Sequence, residues 1–264
     1  MAVQARTRED ANRASGPKRR ARIPIVVAWR GIRLLLSAPR HHLDRSAMLR
    51  FTEEIVLLLP GVGAGGTAAP VRRSALDCAF AGAVLMDLAF ANRIDTDPET
   101  LFVVDPTPTG NPVLDRVLAK IAGRAETKDA RSWIAALSES EAQVARETAT
   151  LNLVRLGIVS LPEGSVYGAL GTRRAPVVDR AVRRDVGLRL AGALFSTDIP
   201  EPRDAALIGL VDACGMLGAV FTDRDIEACR PRLDLLRGME LITREIPGAI
   251  SDIENCVRRL ADVA

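Results

Sequence analysis

Histidine, cysteine, paired carboxylates and glycine-rich turns are the usual carriers of chemistry, and in this chain each stands where that chemistry fails. The histidines are adjacent, His41 and His42, in a basic N-terminal stretch. No Ser-His-Asp or Cys-His arrangement can therefore be assembled in the apolar body of the chain. Cys78, Cys214, Cys229 and Cys256 form no Cys-x-x-Cys pair, and each sits among apolar residues of an expected helix. They read as buried free thiols in a reducing, cytoplasmic compartment, neither disulfides nor zinc ligands. Gly61, Gly63 and Gly66 outline G-x-G-x-x-G after an apolar run. Thr67 to Pro70 intervene where a helix N-terminus should receive a pyrophosphate, and no βαβ alternation follows, so the stretch reads as a surface turn. The carboxylate pairs Glu53 with Glu54 and Asp95 with Asp97 read as solvated surface. With no H-E-x-x-H or Walker A sequence, the expectation is a protein that is not an enzyme and uses no metal and no cofactor.

Lysine occurs only at Lys18, Lys120 and Lys128, so arginine carries the positive charge. That bias fits genome composition as well as function, and ligand chemistry has to be read from placement. Tyr167 and Leu170 lie in a stretch expected to form two short strands around Pro162 to Gly164, with Arg173 and Arg174 adjoining. An apolar ring beside cations suits an anionic membrane interface. The other reading of this hairpin is that it packs on its own domain with its arginines in water.

The elements that would position such groups are helical. Ser74 to Ile94 (SALDCAFAGAVLMDLAFANRI) is apolar on most of a helical surface, broken by Asp77, Asp87 and the small Gly82. Such a helix must be covered on all sides. Two carboxylates argue against a membrane span, so it reads as the central helix of a helical domain. Met48 to Leu59 reads as a buried helical segment ahead of it. After it, Ile94 and Thr100 to Val104 have strand character around the turn sequence DTDPE. Asn111 caps and Pro112 opens a helix with Val113, Leu114, Val117, Leu118 and Ile121 on one face. Glu139 to Leu156 reads as one helix stopped by Gly157. Val177 to Leu194, Asp204 to Val220, Asp223 to Gly238 and Pro247 to Val263 read as further helices, divided by STDIPEP and by Pro231. Aromatic residues are only 3% of the chain, so the core must be aliphatic.

The net charge of +3 is unevenly placed. Basic residues far outnumber acidic ones within residues 1–50, and the remainder is net acidic. Residues 1–47 read as a basic, flexible arm. Within it IPIVVAWRGIRLLLSA is too short to span a bilayer, and Arg30 and Arg33 interrupt it as a signal peptide. It suits an amphipathic helix at an interface, while a poorly ordered extension is the alternative. The domain itself is expected over 48–264.

Several motifs in one order, namely FTEEIVLLL, FAGAVLMDLAFANRI, DPTPTGNPVLDRVL, RSWIAAL and LVRLGIV, resemble the Golgi phosphoprotein 3 family in its bacterial branch. The resemblance covers about Met48 to the C-terminus and is strongest to about residue 180. It implies a mainly α domain around a central apolar helix, with one or two small β-hairpins. It also implies a peripheral membrane protein that binds phosphatidylinositol 4-phosphate and serves as an adaptor. Of the family's headgroup residues, the tryptophan falls at Arg72 and the central-helix arginine at Ala81. The later arginine pair falls at Gln143 and Arg146, so only Arg146 is retained. The resemblance thus implies a headgroup site of Arg146, with Arg72 and Arg73 as replacements, and a membrane-facing hairpin at Tyr167, Leu170, Arg173 and Arg174. The implied partner is an anionic membrane lipid, phosphoinositide or other acidic phospholipid. A protein client and a homo-oligomer stay open.

Two readings from other classes compete. A helix followed by an arginine-bearing hairpin outlines a winged helix that would bind nucleic acid, with LNLVRLGIV as recognition helix. Against it, Glu139 to Leu156 is almost charge-balanced and lacks the donor density of base readout. The second is a protein-interaction module without lipid binding.

Overall fold

The computed structural model describes residues 49–59, 71–124, 128–160, 179–237, 242 and 245–249. The chain divides into two units, Met1–Arg40 and His41–Ala264, and every described residue belongs to the second. The basic arm, the glycine-rich turn after Pro60 and the residues 161–178 lie outside the described residues, as does Cys256.

The fold is mainly helical. In chain order it comprises α1 (Phe51–Leu58), α2 (Arg73–Phe90), β1 (Ile94–Thr96), β2 (Leu101–Val103), α3 (Pro112–Ala122) and α4 (Ala130–Ser140). There follow α5 (Ala142–Arg155), α6 (Arg180–Phe195), α7 (Pro202–Ala213), a single 3-10 turn at Leu217–Ala219, and α8 (Asp223–Leu236). The central helix is α2: every residue from Cys78 to Leu88 is buried. It is covered by α1, α3, α4, α5 and α7. The second very apolar run therefore packs directly on it. Gly82 leaves room for close packing on α2, because a Cβ there would lie 2.9 Å from Ile246 Cδ1 and 3.2 Å from Leu210 Cδ1.

Local signals in the sequence act where the reading placed them. Asn111 Oδ1 accepts from Val113 N and Leu114 N, satisfying two orphan donors at the start of α3. The hairpin pairs Ile94 with Val103 and Thr96 with Leu101. Asp97 holds its turn by accepting from Glu99 N and Thr100 N. Gly157 ends α5 at φ +70°. Cys78, Cys214 and Cys229 are buried.

Four features differ from the sequence reading. The helix expected from Glu139 starts later, at Ala142, because the tryptophan helix α4 runs on to Ser140 and the two meet at Glu141. Ser138 and Ser140 turn their hydroxyls back to Ala135 O and Ala136 O, which weakens the ladder there. The Glu141 carboxylate is held there by ion pairs with Arg116 and Lys120 of α3. The expected helix to Val220 stops at Ala213, because Gly215 takes a left-handed conformation at φ +69°. Conversely, α8 runs through Pro231. Both Pro231 and Glu227, whose carbonyl loses its donor, face water.

The fourth difference is the largest: Glu53 and Glu54 are buried, not solvated surface, with exposures of 4% and 0%. Glu54 accepts from Arg189 of α6 and from Arg203 Nη2 of α7 at 2.8 Å. Arg189 also reaches Asp204 at 3.4 Å. Arg203 donates to Leu49 O and lies over the Phe51 ring, 4.1 Å from its centroid. On the other side, Asp87 of the central helix caps α1. Its carboxylate accepts from Phe51 N at 2.7 Å, Thr52 N at 3.3 Å and Thr52 Oγ1 at 3.0 Å. Burial pushes the Asp87 carboxyl up to about 7, against the downward pull of those donors and of Arg203. Glu54 thus pairs with Arg189 and Arg203, Asp204 shares Arg189, and Asp87 is held by the donors at the start of α1.

Two measurements check this packing. Leu85 is fully buried mid-helix, so Leu85→Ala should cost about 2–5 kcal/mol in chemical denaturation; an unchanged midpoint would make α2 peripheral. The native chain should also lose stability on going from about pH 5 to about pH 8 through Asp87. A raised native pKa gives stability that is complete below the unfolded value and is lost as pH rises through the native one. Asp87→Asn should remove that component, and parallel pH profiles for parent and variant would show that Asp87 does not titrate there.

Candidate functional site

The amino end of α2 carries the cations that the sequence singled out. Arg72 stands at the N-cap in extended conformation and Arg73 opens the helix, with no carboxylate in the first turn. The positive end of the helix dipole favours anions at such a place. Both arginines are exposed. Arg73 Nε lies 3.6 Å from Asp77, one turn further on. Arg146, half-buried on α5, acts on the same carboxylate. Burial raises the Asp77 carboxyl, while Arg73 and then Arg146 draw it back. Arg73 thus pairs with Asp77, Arg146 acts on the same carboxylate electrostatically, and Arg72 stands at the same helix end.

A cavity of about 320 Å³ opens beside this cluster, between α2 and the junction of α4 with α5. Arg73, Asp77, Glu139, Gln143 and Glu147 are among its lining residues, and Arg146 is not. Three carboxylates to one guanidinium was not foreseen in the sequence. The remaining family positions contribute no cation: Ala81 is 1% exposed inside the core, and Gln143 donates to Glu147 Oε1 at 3.0 Å.

Tyr167, Leu170, Arg173 and Arg174 lie outside the described residues. What is described is that Asp179 N donates to Ile158 O at 3.2 Å, so the chain on either side of residues 161–178 is joined. Helix α5, which a winged-helix reading would lay in a nucleic-acid groove, packs against α1, α2, α3 and α4. Among the described residues no group of three or more His, Cys, Asp or Glu side chains is placed to hold a metal. No helix among them is long and apolar enough to cross a membrane.

A central apolar helix covered on all sides, a short hairpin, the Asn111 and Pro112 helix start, and the tryptophan helix follow one another in the order that the sequence motifs suggested. The family model described as Golgi phosphoprotein 3 (GPP34) matches residues 52–252, and the chain belongs to that family. Among individually curated proteins no relative matches it.

Proposed function

We propose that this protein attaches peripherally to anionic phospholipid at a cytoplasmic membrane face and works there as an adaptor. Arg72, Arg73 and Arg146 are the headgroup-binding residues in this reading. The observation that carries it is the placement of Arg73 and Arg146 around one carboxylate at the exposed amino end of α2, beside Arg72. A phosphate monoester calls for two or more charge-assisted donors, best supplied by forked guanidiniums. Arg146 alone matches the family's headgroup arginines, and Arg72 and Arg73 supply the rest.

The carboxylates set the selectivity. Asp77, Glu139 and Glu147 line the adjoining cavity and offset the guanidiniums, so a deep, stereospecific phosphoinositide pocket is disfavoured. The site reads charge density at the bilayer surface, and acidic phospholipids of different headgroup substitute for one another. Family membership supports the adaptor part of the reading.

Vesicle sedimentation tests the reading. The full chain should bind vesicles containing cardiolipin or phosphatidylinositol phosphate and should not bind neutral phosphatidylcholine vesicles. Arg146→Ala should lower the bound fraction several-fold, and salt should lower it further. The double variant Glu139→Gln with Glu147→Gln should raise it. Binding that ignores Arg146→Ala would remove the site, and preferential binding to duplex DNA in a parallel arm would replace the lipid by nucleic acid.

A further inference from the structure

A second cavity, of about 590 Å³, lies between the start of α1, the amino end of α3 and the last turns of α5. Leu49, Pro112, Leu151 and Leu156 give it an apolar wall, and Arg50 and Arg155 stand on the same lining. Its size falls in the range of small-molecule sites, and a mostly apolar lining with a few polar groups is their usual composition. Leu156 is 48% exposed, an apolar side chain left in water at this cavity.

The charge here is unbalanced toward the positive. Glu53 is the acid on the lining, and its charge is already matched inside the protein. It accepts from Arg50 N at 2.9 Å, from Arg50 Nη1 at 3.5 Å and from Asn152 Nδ2 at 3.4 Å. Arg155 has no acidic partner among the described residues. The amino ends of α1 and α3 both open on the cavity, against one carboxyl end, that of α5. One wall is fixed before any ligand arrives. Thr109 Oγ1 and Gly110 N donate to Asp115 at 2.7 and 3.1 Å, and Asn111 caps α3.

We infer that this cleft binds a single-chain amphiphile with an anionic head. The alkyl chain lies along Leu49, Pro112, Leu151 and Leu156, and Arg155 with Arg50 holds a terminal carboxylate or phosphate. A cationic head meets Arg155, whose charge no described carboxylate offsets, because Glu53 is matched by Arg50, and a neutral one leaves Arg155 without a counter-charge. The site is separate from the cluster at Arg146. Arg155 is nine residues further along α5, which is about 14 Å of rise and half a turn around the helix. A free amphiphile therefore occupies it without a bilayer.

Titration calorimetry on the full chain tests this with decanoate and decyl phosphate below their micelle concentrations. Decylammonium and inorganic phosphate serve as the arms that separate chain from charge. The two anionic amphiphiles should bind one to one, and decylammonium and inorganic phosphate should not. Arg155→Glu should weaken binding about tenfold or more. Thr148→Trp, which fills the cavity without changing charge, should abolish it, with thermal melting confirming that both variants fold. Arg146→Ala should leave it unchanged, so this site and the membrane site stand or fall separately. Equal binding of decylammonium, equal binding of inorganic phosphate, or an affinity untouched by Arg155→Glu would overturn the inference.

Discussion

The structure depends on a buried polar node at the start of α1. Glu54 is fully buried within an eight-residue helix whose every residue is buried. A carboxylate in that position is tolerable only if its charge is met by close, hydrogen-bonded partners. Arg189 and Arg203 supply them from helices 135 and 149 residues away. Asp87 meets the backbone at the other side of the same helix start, 36 residues from Phe51. Removing one member of such a network leaves an uncompensated buried charge, at a cost of about 3–5 kcal/mol. Replacing the whole network by apolar side chains need not destabilise at all. Its contribution is positional: it ties the start of α1 to α2, α6 and α7 at once.

That placement sets the surfaces. With α1 locked across α2 by Asp87, Arg50 and Glu53 at its start come to face the last turns of α5 and the Gly110 to Pro112 turn. The amino end of α2 carries the exposed Arg72 and Arg73, and Arg146 of α5 acts on the same Asp77 that Arg73 pairs with. The two sites sit at different parts of α5, one around Arg146 and one around Arg155. In between, α5 is packed by Ala145, Ala149 and Leu153 against its neighbours.

What was legible in the sequence was local. The central helix announced itself by being apolar all round, α3 by Asn111 and Pro112, the hairpin by DTDPE, and the end of α5 by Gly157. Each signal acts within a few residues, and so did the motifs whose order pointed to the Golgi phosphoprotein 3 family. What was not legible depended on distant partners. Glu53 and Glu54 look like any solvated pair until Arg203 and Asn152 are brought to them. The signal that should have given pause was their position, two carboxylates inside FTEEIVLLL, where seven other residues are apolar or threonine. The break at Glu141 was hidden for the same reason, since Arg116 and Lys120 pair with it from another helix. Of the candidate site, Arg73 and Arg146 both act on Asp77, but Glu139 of α4 and Glu147 of α5 line the adjoining cavity, a convergence of separate helices that no local pattern in the sequence signals.

The most direct test of the node is a double-mutant cycle on Glu54 and Arg203 by chemical denaturation, with Glu54→Gln and Arg203→Met alone and together. A shared buried charge predicts that the two single losses far exceed what the double variant loses, with a coupling of more than about 1.5 kcal/mol. Losses that add to within about 0.5 kcal/mol would mean that the two side chains act independently and that α1 is held in place by apolar packing alone.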